Sequence, residues 1–419
     1  MAVNELSFNQ LSTLLNAIVS QATGQTNNTT ALDTKGFVTL GQTALKTGYD
    51  TVSNAISQVM GRTAFDIRPY TRKFGGMEAS EQQWGNMERE LYPLADTFEN
   101  DQREPLTDGQ SIDMYNVKKP KVQQLNYYGF NKYQNHRTIY KDQLDVAFTG
   151  PDQFAEFISM IMSDMVNDLE QAREELARQC IANLIGGTVA GASLSAPATP
   201  IAPETVVHLL TEYNTMTSQS LTVADILGSD AIPFAQYAYA RIAEIMDLLE
   251  ARTVLYHTNI TGRPAGVTDG AVGYVKRHTP KRNQKVYLTS TFMNQFFARV
   301  SANTFNEKYL SVADYEPVAF WQSPAGSATY PVPEAYYTIK SNPSYVSPAG
   351  EIVGVTGGQV VAPILGTIFD EKAARYTIVN QWTAATPFNV AGGYYNQYYH
   401  MSMRYVNNFT QNHIVLLLD

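Results

Sequence analysis

The chain has 419 residues, 44% of them hydrophobic and only 16% charged, with 26 tyrosines, one cysteine and a formal charge of −9. That length allows two domains or one elaborated domain. The charge excludes a bulk surface that grips nucleic acid by counterion release, and the lone cysteine excludes a disulfide framework or a multi-cysteine metal site. Charge is scarce against the quarter usual in soluble proteins; a surface poor in Lys and Glu and rich in Tyr has the composition of one that other protein covers.

The N-terminal MAVNELSFNQ has neither a basic n-region nor an apolar h-region, and no apolar run approaches the roughly 18 residues of a membrane span. The expectation is a chain kept in a cytoplasm, with no membrane partner. Residues 5–20 read as a short amphipathic helix with Phe8, Leu11, Leu14, Leu15 and Ile18 on one face. Thr23 to Lys35 is a polar linker, and Thr51 to Met60 carries a second short helical pattern. Residues 1–61 therefore form an arm, which pattern alone leaves free to fold back on its own chain or to pack on a neighbour.

From residue 62 the character changes. Phe65–Tyr70 and Val122–Phe130 read as strands around a polar excursion. That excursion holds an acidic stretch with Asp96, Glu99, Asp101 and Glu104, a turn at Thr107-Asp108-Gly109, and a basic cluster at Lys118, Lys119 and Lys121. The simplest geometry is a long two-stranded flap with oppositely charged limbs; an isolated hairpin is marginal in water, so it must lie on something.

Residues 152–185 make the strongest local statement. Phe154, Phe157, Ile158, Ile161, Met165, Leu169, Ala172, Leu176, Cys180 and Leu184 recur at intervals of mostly three and four, and no Pro or Gly interrupts them. The spacing predicts one helix roughly 50 Å long, starting at Asp152 and stopping at Gly186-Gly187. Glu170–Arg173 and Glu174–Arg178 pairs mark a solvated side, as do Asp164 and Asp168. Gly186 to Pro200 reads as a Gly/Ala/Ser/Pro linker and a domain boundary. Beyond it, helices are predicted over Glu204–Met216 and Pro233–Thr253, a strand at Lys285–Leu288 and a helix from Thr291. Short strands follow at Ala335–Lys340, Glu351–Thr356, Gln359–Ile364, Gly366–Phe369, Arg375–Asn380, Tyr394–Tyr405 and His413–Leu418, the last nearly all apolar and so buried.

Catalytic signatures are missing: there is no phosphate loop, no dinucleotide fingerprint, no nucleophile elbow, no HExxH and no CxxC. His136, His208, His257, His278, His400 and His413 show no ligand spacing and read as structural, and Cys180 falls on the apolar stripe, where a thiol is inert. Lys276, Arg277, Lys281, Arg282 and Lys285 crowd around Thr279-Pro280; an anion site and a solvated turn both fit, and the turn is the simpler reading.

Taken in order, the arm, charged flap, long helix, α/β segment and returning strands resemble the major capsid proteins of tailed bacteriophages with the Hong Kong 97-type fold. The wording MAVNELSFNQL, GQTALKTGYD and IRPYTRKF is also similar to head proteins of phages and prophages of gut bacteria. The resemblance implies an α+β fold with an N-terminal arm (1–61), an extended β-loop (62–150), a spine helix and linker in a peripheral domain (151–199), an α/β axial domain (200–375), and C-terminal strands (376–419) that return to the peripheral domain. It implies a structural subunit and not an enzyme, without cofactor or metal, assembling with itself into hexamers and pentamers of an icosahedral or prolate head around double-stranded DNA. Assembly is expected in the host bacterial cytoplasm, with the virion as destination and a portal protein as partner. No long charged coiled-coil segment precedes the arm, so a separate scaffolding protein is expected. Glu99, Asp101, Glu104, Lys118, Lys119 and Lys121 are the candidate inter-subunit contacts. Two other readings stay open at this point: an encapsulin-like nanocompartment shell and a soluble enzyme without a recognisable motif.

Overall fold

A computed structural model describes residues 8–24, 34–46, 51, 55, 74–79, 87–94, 107–111, 114–115, 121–147, 150–194, 204–228, 230–260, 262, 274–294, 315–322, 338–356, 359–361 and 363–419. Helix α1 (Phe8–Thr23) buries Leu11, Leu14, Leu15 and Ile18 of the predicted stripe, together with Val19 and Ala22. It packs on α2 (Thr34–Leu45) and on the long helix of the same chain, so these arm helices lie on their own subunit. The pattern reading missed α2, because Thr34, Lys35, Gly36 and Gly41 dilute its apolar periodicity. Of the predicted helix at Thr51–Met60, Thr51 and Ala55 are described and both are helical; the rest of it and the strand at Phe65–Tyr70 lie outside the described residues.

The described part of the flap has two strands, one of them unforeseen: β1 (Met87–Pro93), which the pattern reading left in the polar excursion, pairs antiparallel with β2 (Val122–Tyr128), in register from Met87 opposite Tyr128 to Pro93 opposite Val122. The predicted turn is present; Gln110 N–H donates to Thr107 O at 3.1 Å, and Gly109 takes φ +87°, a conformation that favours glycine. A strand that the pattern did not reveal, β3 (Asn131–Tyr140), follows at once and leads through α3 (Lys141–Ala147) into α4 (Pro151–Leu194).

Helix α4 is the predicted rod, but it runs 44 residues and does not stop at Gly186-Gly187. At about 1.5 Å per residue it spans roughly 66 Å. The glycines are there for close approach, not termination. A Cβ on Gly187 would sit 2.6 Å from Phe409 Cζ and 2.8 Å from Ser344 O, and one on Gly186 would sit 3.0 Å from Ser341 Oγ. Nor are its ion pairs on a solvated side. The Glu170–Arg173 pair, at 3.0 Å, and the Glu174–Arg178 pair are largely covered; Arg178 lies 3.9 Å over the Phe320 ring and donates to the Phe320 carbonyl.

The remaining elements are β4 (Val206–His208), α5 (Leu209–Thr217), α6 (Val223–Leu227), α7 (Ala231–Glu250), β5 (Gln284–Thr289), β6 (Glu316–Val318), β7 (Ile339–Ser341), β8 (Ser344–Val346), β9 (Ile352–Gly354), β10 (Gln359–Val361), β11 (Ile364–Asp370), β12 (Ala374–Ala385), β13 (Tyr394–Asn407) and β14 (His413–Leu417). The predicted helix at Glu204–Met216 thus opens as a strand, because Val206 and Val207 pair in parallel with Val415 and Leu416 before the helix begins. Helical residues resume at 290–294, where the expected helix from Thr291 begins; its continuation lies outside the described residues.

Two sheets organise the core. One has the order β4-β14-β11-β5-β6, the other β12-β13-β3. The long helix packs on β12 and β13, and one buried cluster joins Leu176, Cys180 and Leu184 to Tyr376, Ile378, Met401 and Met403, and to Val415 and Leu417 of the larger sheet. A second cluster fills that sheet's other face, where Ile414, Leu416, Leu365 and Ile368 meet Phe234, Ile242 and Leu249 of α7. Both faces of β14 are therefore covered, which is why Ile414–Leu417 is apolar without alternation. The last strand does not join β12 and β13; it sits between β4 and β11, so the C-terminal strands divide between the two sheets.

Candidate assembly surface

The sequence MERELYP alternates, and the structure uses the alternation: Glu88, Glu90 and Tyr92 are the more covered residues of β1, while Met87, Arg89, Leu91 and Pro93 face out. Beneath them, Arg375 of β12 pairs with both Glu88 and Glu90, and Arg404 of β13 reaches Glu88 at 3.2 Å. Asn408 Nδ2 donates to Glu90 Oε2 at 2.6 Å and to the Tyr92 hydroxyl at 3.0 Å; Gln411 Nε2 reaches the same hydroxyl at 3.2 Å. Tyr92 in turn donates to the Glu90 carboxylate. Arg277 lies 3.8 Å over the Tyr92 ring and donates to Thr410 O at 2.9 Å.

Burial pulls the Arg375 guanidinium down, but Glu90 and Glu88 outweigh it and hold it above its ordinary range. Arg277 falls to about 10, because burial outweighs the attraction of Glu90 and Asp370. Burial, followed by Glu90, pushes the Tyr127 phenol of β2 well above the usual range. Glu88 and Glu90 lie against the Arg375 and Arg404 guanidinium groups, so the cluster works as a clamp, binding the root of the flap to the body through charge-assisted hydrogen bonds.

Of the candidate contacts, Glu99, Asp101, Glu104, Lys118 and Lys119 lie outside the described residues. Lys121 is exposed at the flap base, where its carbonyl accepts from Leu94 N–H at 3.0 Å. The basic cluster at 276–285 is not one feature. Arg277 belongs to the clamp and is not solvated, Lys281 pairs with Asp247, and Lys276 and Arg282 are exposed. Sequence reading missed the clamp, whose one visible signal was the Glu-x-Glu-x-Tyr alternation in a charge-poor chain.

Two surface patches accompany the clamp, one with exposed apolar side chains and one an aromatic stack. On the flap, Leu91 is 59% and Tyr128 69% exposed, with Met87 and Val122 on the same outward side. On the smaller sheet, the face away from α4 carries a stack: Trp382 on His400, ring centroids 3.9 Å apart, then Tyr398, then His136 at 5.3 Å from Tyr398. Cys180, by contrast, is fully buried beside the Arg375 and Val406 carbonyls, and burial pushes its thiol up to about 12. Among the described residues no cluster of His, Cys, Asp and Glu could hold a metal, and no helix is long and apolar enough to cross a membrane.

This mixed helix-and-sheet fold is the one found in phage capsids. The capsid structure of Staphylococcus phage Andhra matches with a TM-score of 0.52 and 11% identity, over 85% of this chain and 87% of that one. The chain belongs to the Phi29-like phage major capsid protein family, whose family model matches residues 15–417. It is therefore a structural virion protein. Weaker likenesses, on which nothing rests, are to a chain in a structure of the head fiber and inner core protein of native bacteriophage P68 (TM-score 0.49, 11% identity, 85% of this chain and 87% of that one) and to the capsid structure of Cyanophage P-SCSP1u (TM-score 0.43, 11% identity, 86% and 94%). No curated protein matches.

Proposed function

We propose that the chain self-assembles into hexamers and pentamers of an icosahedral or prolate head of Hong Kong 97 type that encloses double-stranded DNA. Family membership over residues 15–417 carries this reading. The exposed apolar side chains of the flap and the aromatic stack of the smaller sheet support it, since a shell subunit must bind copies of itself through several different surfaces. In this reading residues 1–61 are the arm, 62–150 the extended loop, 151–199 the part built on the spine helix and 200–375 the axial domain. The strands of 376–419 are then shared between the two sheets. The net charge of −9 suits a wall that holds DNA without sequence-specific binding.

A separate scaffolding protein and a portal protein complete the assembly in the host bacterial cytoplasm, and the chain itself carries out no catalysis. The flap limbs at Glu99, Asp101, Glu104, Lys118, Lys119 and Lys121 contribute inter-subunit contacts. The test is purification alone and with scaffold, followed by sedimentation and negative-stain imaging. Capsomers or shells are expected; a compact monomer at every concentration, with scaffold present, overturns the proposal.

A further inference from the structure

Where α4, β8 and the turn from β13 to β14 meet, the fold leaves a cavity of about 240 Å³. Its walls are mostly apolar: Gly187 and Gly191 of α4, Tyr345 and Val346 of β8, and Phe409. An apolar cavity on the order of 150 Å³ already accepts benzene, so this one has room for a two-ring molecule.

One polar group distinguishes it from a packing defect. His413 lines the cavity and is only 1% exposed. Its Nδ1 lies 2.8 Å from the carbonyl of Gln411. A carbonyl only accepts, so Nδ1 carries the proton and Nε2 is left as a lone-pair acceptor. Burial keeps the ring neutral, with its pKa lowered to about 4. That hydrogen bond engages Nδ1 alone, and Nε2 has no donor among the described residues. An acceptor left without a donor in a residue this well covered is costly, and His413 borders a space large enough to bring one. The hydroxyl-bearing Thr205 and Thr258 stand on the same wall, whereas Thr188 has its hydroxyl committed to Leu184 O at 2.7 Å.

We infer that this cavity is a binding site for a small neutral aromatic molecule with a single N–H or O–H donor, the class of indoles and phenols, which donates to His413 Nε2 while its ring lies against Tyr345 and Phe409. The bound molecule would bridge α4, the β8 hairpin and the turn that joins the two sheets, and so stiffen the junction between them.

The test is calorimetric titration of the purified full-length protein with indole and with benzofuran, which has the same shape but no donor. Indole is expected to bind saturably and about three- to tenfold more tightly than benzofuran, the margin of one net hydrogen bond. His413→Phe is expected to remove that preference, and Ala192→Leu, on the cavity wall, to abolish binding of both. The reading is overturned by absence of saturable indole binding to folded wild-type protein, or by equal affinity for the two ligands. If His413→Phe does not fold, the indole-to-benzofuran ratio in the wild type and the loss in Ala192→Leu still decide the matter.

Discussion

Replacing Arg375 with Met tests whether the clamp sets the position of the flap. Arg375 touches both Glu88 and Glu90, whose side chains are only 16% and 13% exposed, so water cannot take its place. Removing one partner of a buried ion pair costs about 3–5 kcal/mol. Glu88 keeps Arg404, and Glu90 keeps Asn408 and Tyr92, which places the expected loss at the lower end, about 3 kcal/mol. If the loss is local to the flap, the amides of β1 and β2 should exchange with deuterium about a hundredfold faster, at a factor of ten per 1.4 kcal/mol. Amides of β11 and β14, held by both cores, should not change. Adding Glu90→Gln should recover much of the loss, because Glu88 keeps Arg404 and no uncompensated carboxylate then remains. Unaltered flap exchange in a folded Arg375→Met protein would refute the clamp.

Gly187→Ala should lower stability by about 1–3 kcal/mol through overpacking; because its Cβ meets both the Phe409 ring and the Ser344 carbonyl, Phe409→Leu should restore only part. An unchanged melting temperature in Gly187→Ala contradicts this. Burial lowers the pKa of His257 and of His413 to about 4, against about 6.5 when unfolded. The unfolded chain therefore takes up protons first, and stability is full above about pH 6.5 and lost progressively down to about pH 4, by about 2 kcal/mol per histidine at pH 5. Urea midpoints should fall between pH 7.5 and pH 5 and flatten in the His257→Gln, His413→Gln double variant; a flat wild-type profile counts against the assignment. Cys180, with its thiol at about 12, should resist maleimide at pH 7.5 in the folded protein and react only on unfolding, so rapid labelling of native protein would show the site to be open.

What the sequence displayed well were features whose cause is local. The stripe through Leu176, Cys180 and Leu184, the turn at Gly109 and the nearly all-apolar His413–Leu417 each carry their explanation within a few residues. What it hid depends on distant partners. Gly186-Gly187 has the composition of a helix stop, and only the approach of Ser341, Ser344 and Phe409 from elsewhere in the chain shows why the helix continues. Val206 and Val207 look helical until β14 offers them a strand. The clamp was the least legible, because Glu88 and Glu90 meet Arg375 and Arg404 across more than 280 residues. No window of sequence contains such a pair.

The position of β14 bears on how a subunit is made. In sequence order it is the last strand, yet it lies second in its sheet, hydrogen-bonded to β4 on one side and β11 on the other. Sheet formation must therefore wait until residues 413–417 have left the ribosome, and the pairing with β4 closes a loop of some two hundred residues, a slow step for any chain. A nascent or prematurely terminated polypeptide lacks the strand that separates β4 from β11, and with it the residues that tie both cores together.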